Sequence, residues 1–231
     1  MPSALITGSN RGIGLEFVKQ YVADGWQVFA TCRNPDSATQ LHDVAEQSGG
    51  SVQVLAMDTG DSASVAAAAM QLEDEAIDLL LNNAGVMGAS GQTFGNVDYD
   101  TWTKVLNVNT MGPLRVAEAF IEQVARSERK LMVTVTSAMG SIADNTSGGS
   151  IVYRSSKAAV NMVMRSAAID IAALGICCVV VHPGWVLTDM GGPNALMTVP
   201  DSVTKLRKVI AKLGPEHTGK FFNYTGEEFA W

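Results

Sequence analysis

Thr7-Gly8-Ser9-Asn10-Arg11-Gly12-Ile13-Gly14, led by the apolar run Ala4-Leu5-Ile6 and followed by the amphipathic segment Leu15 to Ala23, decides how the rest of the chain is read. The order is strand, glycine turn, helix. Glycines at 8, 12 and 14 let the backbone turn tightly and let a phosphate approach the main chain. The unpaired amides that open the helix carry partial positive charge and suit a pyrophosphate. The first two glycines are four apart rather than two, so the usual dinucleotide fingerprint is not met. A glycine turn that joins a strand to a helix with no ligand is the plainer alternative, and the later motifs decide between the two.

Working outward, apolar runs and amphipathic segments alternate to the end of the chain. Strands are expected at Gln27–Thr31, Val52–Met57, Ile77–Leu81, Leu131–Thr136, Ile176–Val181 and Phe221–Tyr224. Helices are expected at Ala38–Gln47, Ser64–Glu73, Tyr99–Arg126 with a bend at Gly112-Pro113, Tyr153–Ala173 and Ser202–Leu213. This alternation predicts an α/β fold, a doubly wound parallel sheet of about seven strands with helices on both faces. With 231 residues and no repeat or linker, residues 1–231 read as one dinucleotide-binding catalytic domain.

Composition narrows the partners. A net charge of −7 argues against a broad nucleic-acid surface. Cys32, Cys177 and Cys178 form no disulfide framework and read as small buried residues. No apolar run reaches the ~20 residues a membrane helix needs, and the glycine motif begins too early to leave room for a secretory signal. A cytoplasmic protein without membrane or nucleic-acid partners is the expectation.

In a doubly wound sheet, ligands bind outside the carboxyl ends of the strands. The polar groups at those ends are the glycine turn, Arg33, Asp58-Thr59, Asn82 to Gly85, Ser137 and Pro183-Gly184. Arg33 lies where an acidic residue would accept from a free ribose 2′-hydroxyl, and would instead pair with a 2′-phosphate, with Arg11 as a second positive charge. A solvated loop arginine is the alternative. Asp58 and Thr59 could face an adenine, or Asp58 could serve the turn. Tyr153 and Lys157, four apart, share a helix face. An adjacent ammonium is expected to lower the phenol pKa, and Ser137 to donate to a substrate oxygen, which together fit carbonyl reduction.

The combination resembles the short-chain dehydrogenase/reductase family nearly end to end: Thr7-Gly8-x-x-x-Gly12-x-Gly14, Asn82-Asn83-Ala84-Gly85, Asn107-Val108-Asn109, Ser137, Tyr153-x-x-x-Lys157, and Pro183-Gly184 with Thr188. Within it, His182 to Val186, Thr188 to Gly192 and the terminal Asn223 to Trp231 are most similar to sniffer-type carbonyl reductases and the bacterial C-factor group. The resemblance implies a Rossmann-type fold with Tyr153 as acid/base. It makes Lys157 a ligand of the nicotinamide ribose, Ser137 the carbonyl-polarising group, and Asn109 the holder of a relay water. Asn109 as a structural, helix-bending residue is the alternative.

For the cofactor, the resemblance implies binding by Gly8, Asn10, Arg11, Gly12, Ile13, Gly14, Arg33, Asp58 and Thr59 on one side. Asn83, Ala84 and Gly85 line the adenosine, and Pro183, Gly184, Val186 and Thr188 meet the nicotinamide. Ser137 and Tyr153 are 16 positions apart, a few more than usual, with the excess in Asp144 to Ser150.

The expected activity is NADPH-dependent reduction of small aldehydes, ketones or quinones. An NAD-dependent alcohol dehydrogenase, or a dinucleotide-binding signalling protein, stand as alternatives. Substrate contacts are expected from loops 87–97, 139–151 and 185–200, with Met139, Trp185 and Met190 as an apolar wall. No metal is expected. The apolar helix Ala158 to Ala173 is a candidate face for a homodimer, ordinary core packing being the other reading.

Overall fold

The computed structural model describes residues 1–231. One seven-stranded, wholly parallel sheet runs through the molecule in the order β3-β2-β1-β4-β5-β6-β7. Its strands are β1 Ser3–Thr7, β2 Gln27–Cys32, β3 Val52–Ala56, β4 Leu79–Asn82, β5 Leu131–Val135, β6 Cys177–His182 and β7 Phe221–Asn223. β1, β4 and β5 are buried along their whole length, as strands covered on both faces must be.

Helices α1 Gly12–Ala23, α2 Thr39–Gln47 and α8 Val199–Ile210 cover one face, where Phe17, Val18, Leu41 and Leu206 pack on the alternate strand residues. On the other face lie α3 Ser62–Gln71, the run α4 Tyr99–Leu106, α5 Gly112–Ala119 and α6 Ile121–Ala125, and the long α7 Ile151–Asp170. Val65, Val116, Phe120 and Met164 fill that layer. Val160, Met164 and Ala168 bury the inner side of α7, while Met162 and Ile169 face solvent. All three cysteines are buried and free.

The winding reverses between β1 and β4. The chain runs outward through β2 and β3, then returns to place β4 against the other side of β1. A crevice opens at such a reversal, above the strand ends. The glycine turn after β1 and Asn83 after β4 stand on its two banks.

The helix expected over Tyr99–Arg126 is three helices; one boundary falls at Gly112, where a bend or break was expected, and a second, unexpected one at Phe120. A π-helical stretch, Asn107–Met111, widens the chain before Gly112. Pro113 sits in the first turn of α5, where its missing N–H costs nothing. The sharper interruption is at Phe120, whose ring is fully buried. Helix starts also differ by two or three residues, α3 beginning at Ser62 rather than Ser64. α7 begins at Ile151, before Tyr153, and α8 begins at Val199, capped by the Thr198 hydroxyl, which shortens the irregular stretch expected to reach Pro200.

Candidate active site

The glycine turn is held from below by Thr7. Its Oγ1 accepts from the amides of Asn83 and Ala84 at 3.0 and 2.9 Å. The Asn83 side chain donates back to the carbonyls of Thr7 (2.9 Å) and Gly8 (3.3 Å), so it is spent on the turn. Gly8 has φ +68°, and a Cβ there would lie 2.9 Å from the Ala84 Cα. A Cβ on Gly14 would lie 2.2 Å from the Gly8 carbonyl oxygen. Packing this tight leaves room for no side chain.

Above it, α1 starts at Gly12 with no side-chain cap and no acidic residue in its first turn. The amides of Gly12, Ile13 and Gly14 make no hydrogen bond within the protein. They remain available to an anion, which is the fit a pyrophosphate requires. Arg33 is exposed directly beyond β2. Asp58 accepts the Gly60 amide on its Oδ1 at 2.8 Å and so serves the turn after β3, and the Thr59 carbonyl accepts from Arg115 of α5 at 2.5 Å.

The candidate catalytic side chains gather where the end of β5 meets α7. Ser137 follows β5 and caps a 3₁₀ turn, Ala138–Gly140, accepting the Met139 amide at 3.1 Å. Gly140 brings that turn against α7: a Cβ there would sit 2.8 Å from the Lys157 backbone. Close packing of the turn on α7 thus sets Ser137 beside Tyr153. The Tyr153 phenol is buried, and burial pushes its pKa up to about 12, with the neighbouring Ser137 hydroxyl opposing the shift.

The Lys157 ammonium is buried as well and lies 5.8 Å from the centre of the Tyr153 ring. It donates to the Val135 carbonyl at 3.0 Å, and burial lowers its pKa to about 8. The net shift of the phenol is thus upward, opposite to the lowering expected, because desolvation dominates both groups.

Asn109 lies at the middle of the π-helical stretch, 1% exposed. It bonds both backbone groups of Val86, accepting at 2.8 Å and donating at 2.7 Å, and also donates to Ser156 at 3.0 Å. It thereby ties the segment after Gly85 to α7. Gly85 has Asn109 Oδ1 and Lys157 Nζ 3.4 and 3.7 Å from where its Cβ would be, so it separates the two groups closely.

After β6, Gly184 (φ +88°) starts the segment that carries Trp185 to Met197. Val186 is buried, and Thr188 turns its methyl toward Gly12 across the crevice, 3.6 Å from where a Cβ would be. Met190 places its sulfur 3.8 Å from the Tyr153 hydroxyl. The Trp185 indole donates to the Gly191 carbonyl at 2.8 Å and its ring is half exposed. Met139 is half buried beside Ser137.

Three contributors carried no assigned role in the sequence reading: Thr7, Ser156 and Asp189. Thr7 stood inside the glycine motif and could have been found there. Asp189 pairs with Arg11 across 178 positions, and no local pattern encodes such a contact.

With this geometry in place, the chain can be set beside known proteins. Residues 2–197 match the short chain dehydrogenase family, and the chain belongs to that family of oxidoreductases. It is 46% identical over 155 residues to the C-signal of Myxococcus xanthus, covering 67% of this chain and 93% of that protein. Among solved structures, it superposes on the carbonyl reductase Sniffer of D. melanogaster with a TM-score of 0.94, at 33% identity and full coverage of both chains. The NADPH-bound carbonyl reductase from chicken fatty liver gives a TM-score of 0.93 at 34% identity, covering 100% of this chain and 99% of that one. No helix is long and apolar enough to cross a membrane, and no cluster of three or more His, Cys, Asp or Glu is arranged to hold a metal ion.

Proposed function

We propose that this protein is an NADPH-dependent carbonyl reductase for small aldehydes, ketones or quinones. The observation that carries the reading is the buried Tyr153 phenol beside Ser137, with the Lys157 ammonium one helical turn further on and 5.8 Å from the centre of its ring. A group poised to give a proton suits reduction, in which a carbonyl oxygen gains one. Residence of NADPH on the free amides of Gly12 to Gly14, with Arg33 and Arg11 toward its 2′-phosphate, is supported by the structural likeness to an NADPH-bound carbonyl reductase.

When bound, the nicotinamide supplies the hydride. The protein does the rest. Ser137 donates to the carbonyl oxygen and holds it against the phenol. Tyr153 Oη gives that oxygen its proton as negative charge develops there. Lys157 stabilises the tyrosinate left behind, and its neighbourhood with Asn109 around Gly85 is the route by which Tyr153 regains a proton. Asn109 fixes that route by holding Val86. Met139, Trp185 and Met190 form the apolar side of the substrate site.

The test is NADPH oxidation over a panel of small aldehydes, ketones and quinones, with NADH in parallel and Tyr153→Phe as control. The expected result is turnover favouring NADPH that Tyr153→Phe lowers by about 10²–10⁴-fold, the usual worth of a positioned proton donor. Preference for NADH would favour an NAD-dependent alcohol dehydrogenase. The 46% identity to C-signal supports a second reading, a dinucleotide-binding signalling protein. Saturable NADPH binding without turnover of any carbonyl would favour it.

A further inference from the structure

Helix α8 and the turn that follows it carry four cations, and they divide by partner. Arg207 pairs with Asp24. Lys205, Lys208 and Lys212 pair with no carboxylate. Further along the chain, Lys220 is neutralised by Glu228 at 3.3 Å. The three unpaired lysines recur at spacings of three and four, so they stand on one face over roughly 10 Å of rise. The dipole of α8 favours a cation in its last turn, where Lys208 lies, but its reach does not extend to Lys205, a turn earlier.

That face is one wall of a groove of about 470 Å³. The opposite wall is His217, from the 3₁₀ turn Pro215–His217, with Tyr224 and the turn at Thr225-Gly226. Val209 and Phe222, both buried, and half-buried Leu213 supply its apolar lining. Lys205 sits over the Tyr224 ring, 5.2 Å from its centre, and His217 meets Phe222 edge to face at 5.7 Å. His217 Nδ1 accepts from the Gly214 amide at 3.0 Å, so the ring proton is carried by Nε2, which is a donor. Glu216 lies 3.2 Å from the same Nδ1 and pairs with none of the lysines. The glycine turn, Ser137, Tyr153 and Lys157 take no part in this groove.

Three ammonium groups on one face repel one another, and they do so on a chain whose net charge is −7. An anion seated between them removes that repulsion. We infer that the groove is a binding site for a small organic phosphate, a phosphomonoester on an aromatic or aliphatic body. The phosphate lies against the lysines and His217 Nε2, and the body covers Val209, Leu213 and Phe222. A phosphomonoester is close to dianionic at neutral pH and answers several ammoniums at once, where a carboxylate carries a single charge. The volume is that of a small-molecule site, and a concave wall suits a compact ligand rather than a flat membrane surface. The site stands apart from the proposed reductase chemistry, since no residue is shared.

The test titrates ¹⁵N-labelled protein with 1-naphthyl phosphate and follows the backbone amides of residues 205–213, 217 and 222–226 against those of residues 8–14. Inorganic phosphate and 1-naphthol serve as the head and the body alone. Saturable shifts are expected in the groove. 1-Naphthyl phosphate should bind about tenfold more tightly than inorganic phosphate, the worth of roughly 50 Å² of apolar surface removed from water, and more tightly than 1-naphthol. Lys208→Gln should weaken it about three- to fivefold, and Lys205→Gln combined with Lys208→Gln about tenfold, the scale of exposed charge contacts. Lys208→Arg should stay near wild type, and added salt should weaken binding throughout. Both lysines are exposed, so these variants keep the fold.

Shifts confined to residues 8–14 would place the phosphate on the glycine turn and overturn the site. Equal affinity for 1-naphthol and 1-naphthyl phosphate, or an affinity unchanged in the double lysine variant, would remove the role of the lysines and with it the inference.

Discussion

Lys157 shows a residue whose placement works against the stability of the fold. Its ammonium is buried, meets only the Val135 carbonyl among its hydrogen-bond partners, and faces no carboxylate. Lowering a lysine pKa from 10.5 to about 8 corresponds to about 3 kcal/mol set against the charged native form. The unfolded chain holds that proton up to the ordinary lysine value, while the native state releases it near pH 8. Stability should therefore rise with pH between about 8 and 10.5, and the full cost is present at pH 7. Lys157→Met removes the buried charge but leaves the Val135 carbonyl unpaired, so a net gain of about 1–2 kcal/mol at pH 7 is expected in urea unfolding, with carbonyl reduction lost. A destabilised variant would mean that the hydrogen bond outweighs the burial of charge.

At the scale of elements, the glycine turn works because three segments share one small volume. β1 ends in Thr7, the strand after the reversal ends at Asn82 and is followed by Asn83, and α1 starts above them. Gly14 is the tightest point, and nothing yields there because the nearest atom is backbone. Gly14→Ala must push α1 away from the turn. A loss of about 3 kcal/mol or more is expected in thermal or urea unfolding, with weakened nucleotide binding; overpacking of this kind costs about 1–3 kcal/mol where side chains can give way. Full stability in that variant would show that the turn has slack which the present packing does not contain. The same scale explains the broken helix over 99–125. The Asn109 side chain bonds Val86 and Ser156 together, and the local backbone adopts a π-helical turn around it.

Over the whole molecule, the far edge of the sheet is closed by the chain end. Phe229 donates to the Phe221 carbonyl at 2.7 Å, and the Trp231 carbonyl accepts from Ala143 at 2.9 Å, tying β7 to the loop before α7. Beneath this crossing His182 sits with Tyr224 and Phe229 about its ring and a buried, unpartnered Nδ1. Burial lowers its pKa from 6.5 to about 4, with Asp144 opposing. The unfolded chain takes up a proton below pH 6.5, while the native state resists until about 4. Stability is therefore lost as pH falls through that window. Urea midpoints between pH 7 and 4 should fall more steeply for wild type than for His182→Phe, which keeps a ring and removes the basic nitrogen. Equal slopes would mean that carboxylates alone govern the acid limb.

By itself the sequence determined the alternation of strands and helices, the parallel sheet and the residues standing at strand ends. These follow from periodicity and from glycines and polar groups placed where apolar runs stop, all signals carried within a few positions. Tyr153 and Lys157 were legible for the same reason, being one helical turn apart. Their protonation was not, because desolvation depends on what the rest of the chain packs around them, and it reversed the expected direction for Tyr153. Only the tertiary structure spent Asn83 on the glycine turn, split the helix at Phe120 and brought Asp189 to Arg11. Each of those is a contact between distant positions, fixed by how layers pack and invisible to any local pattern.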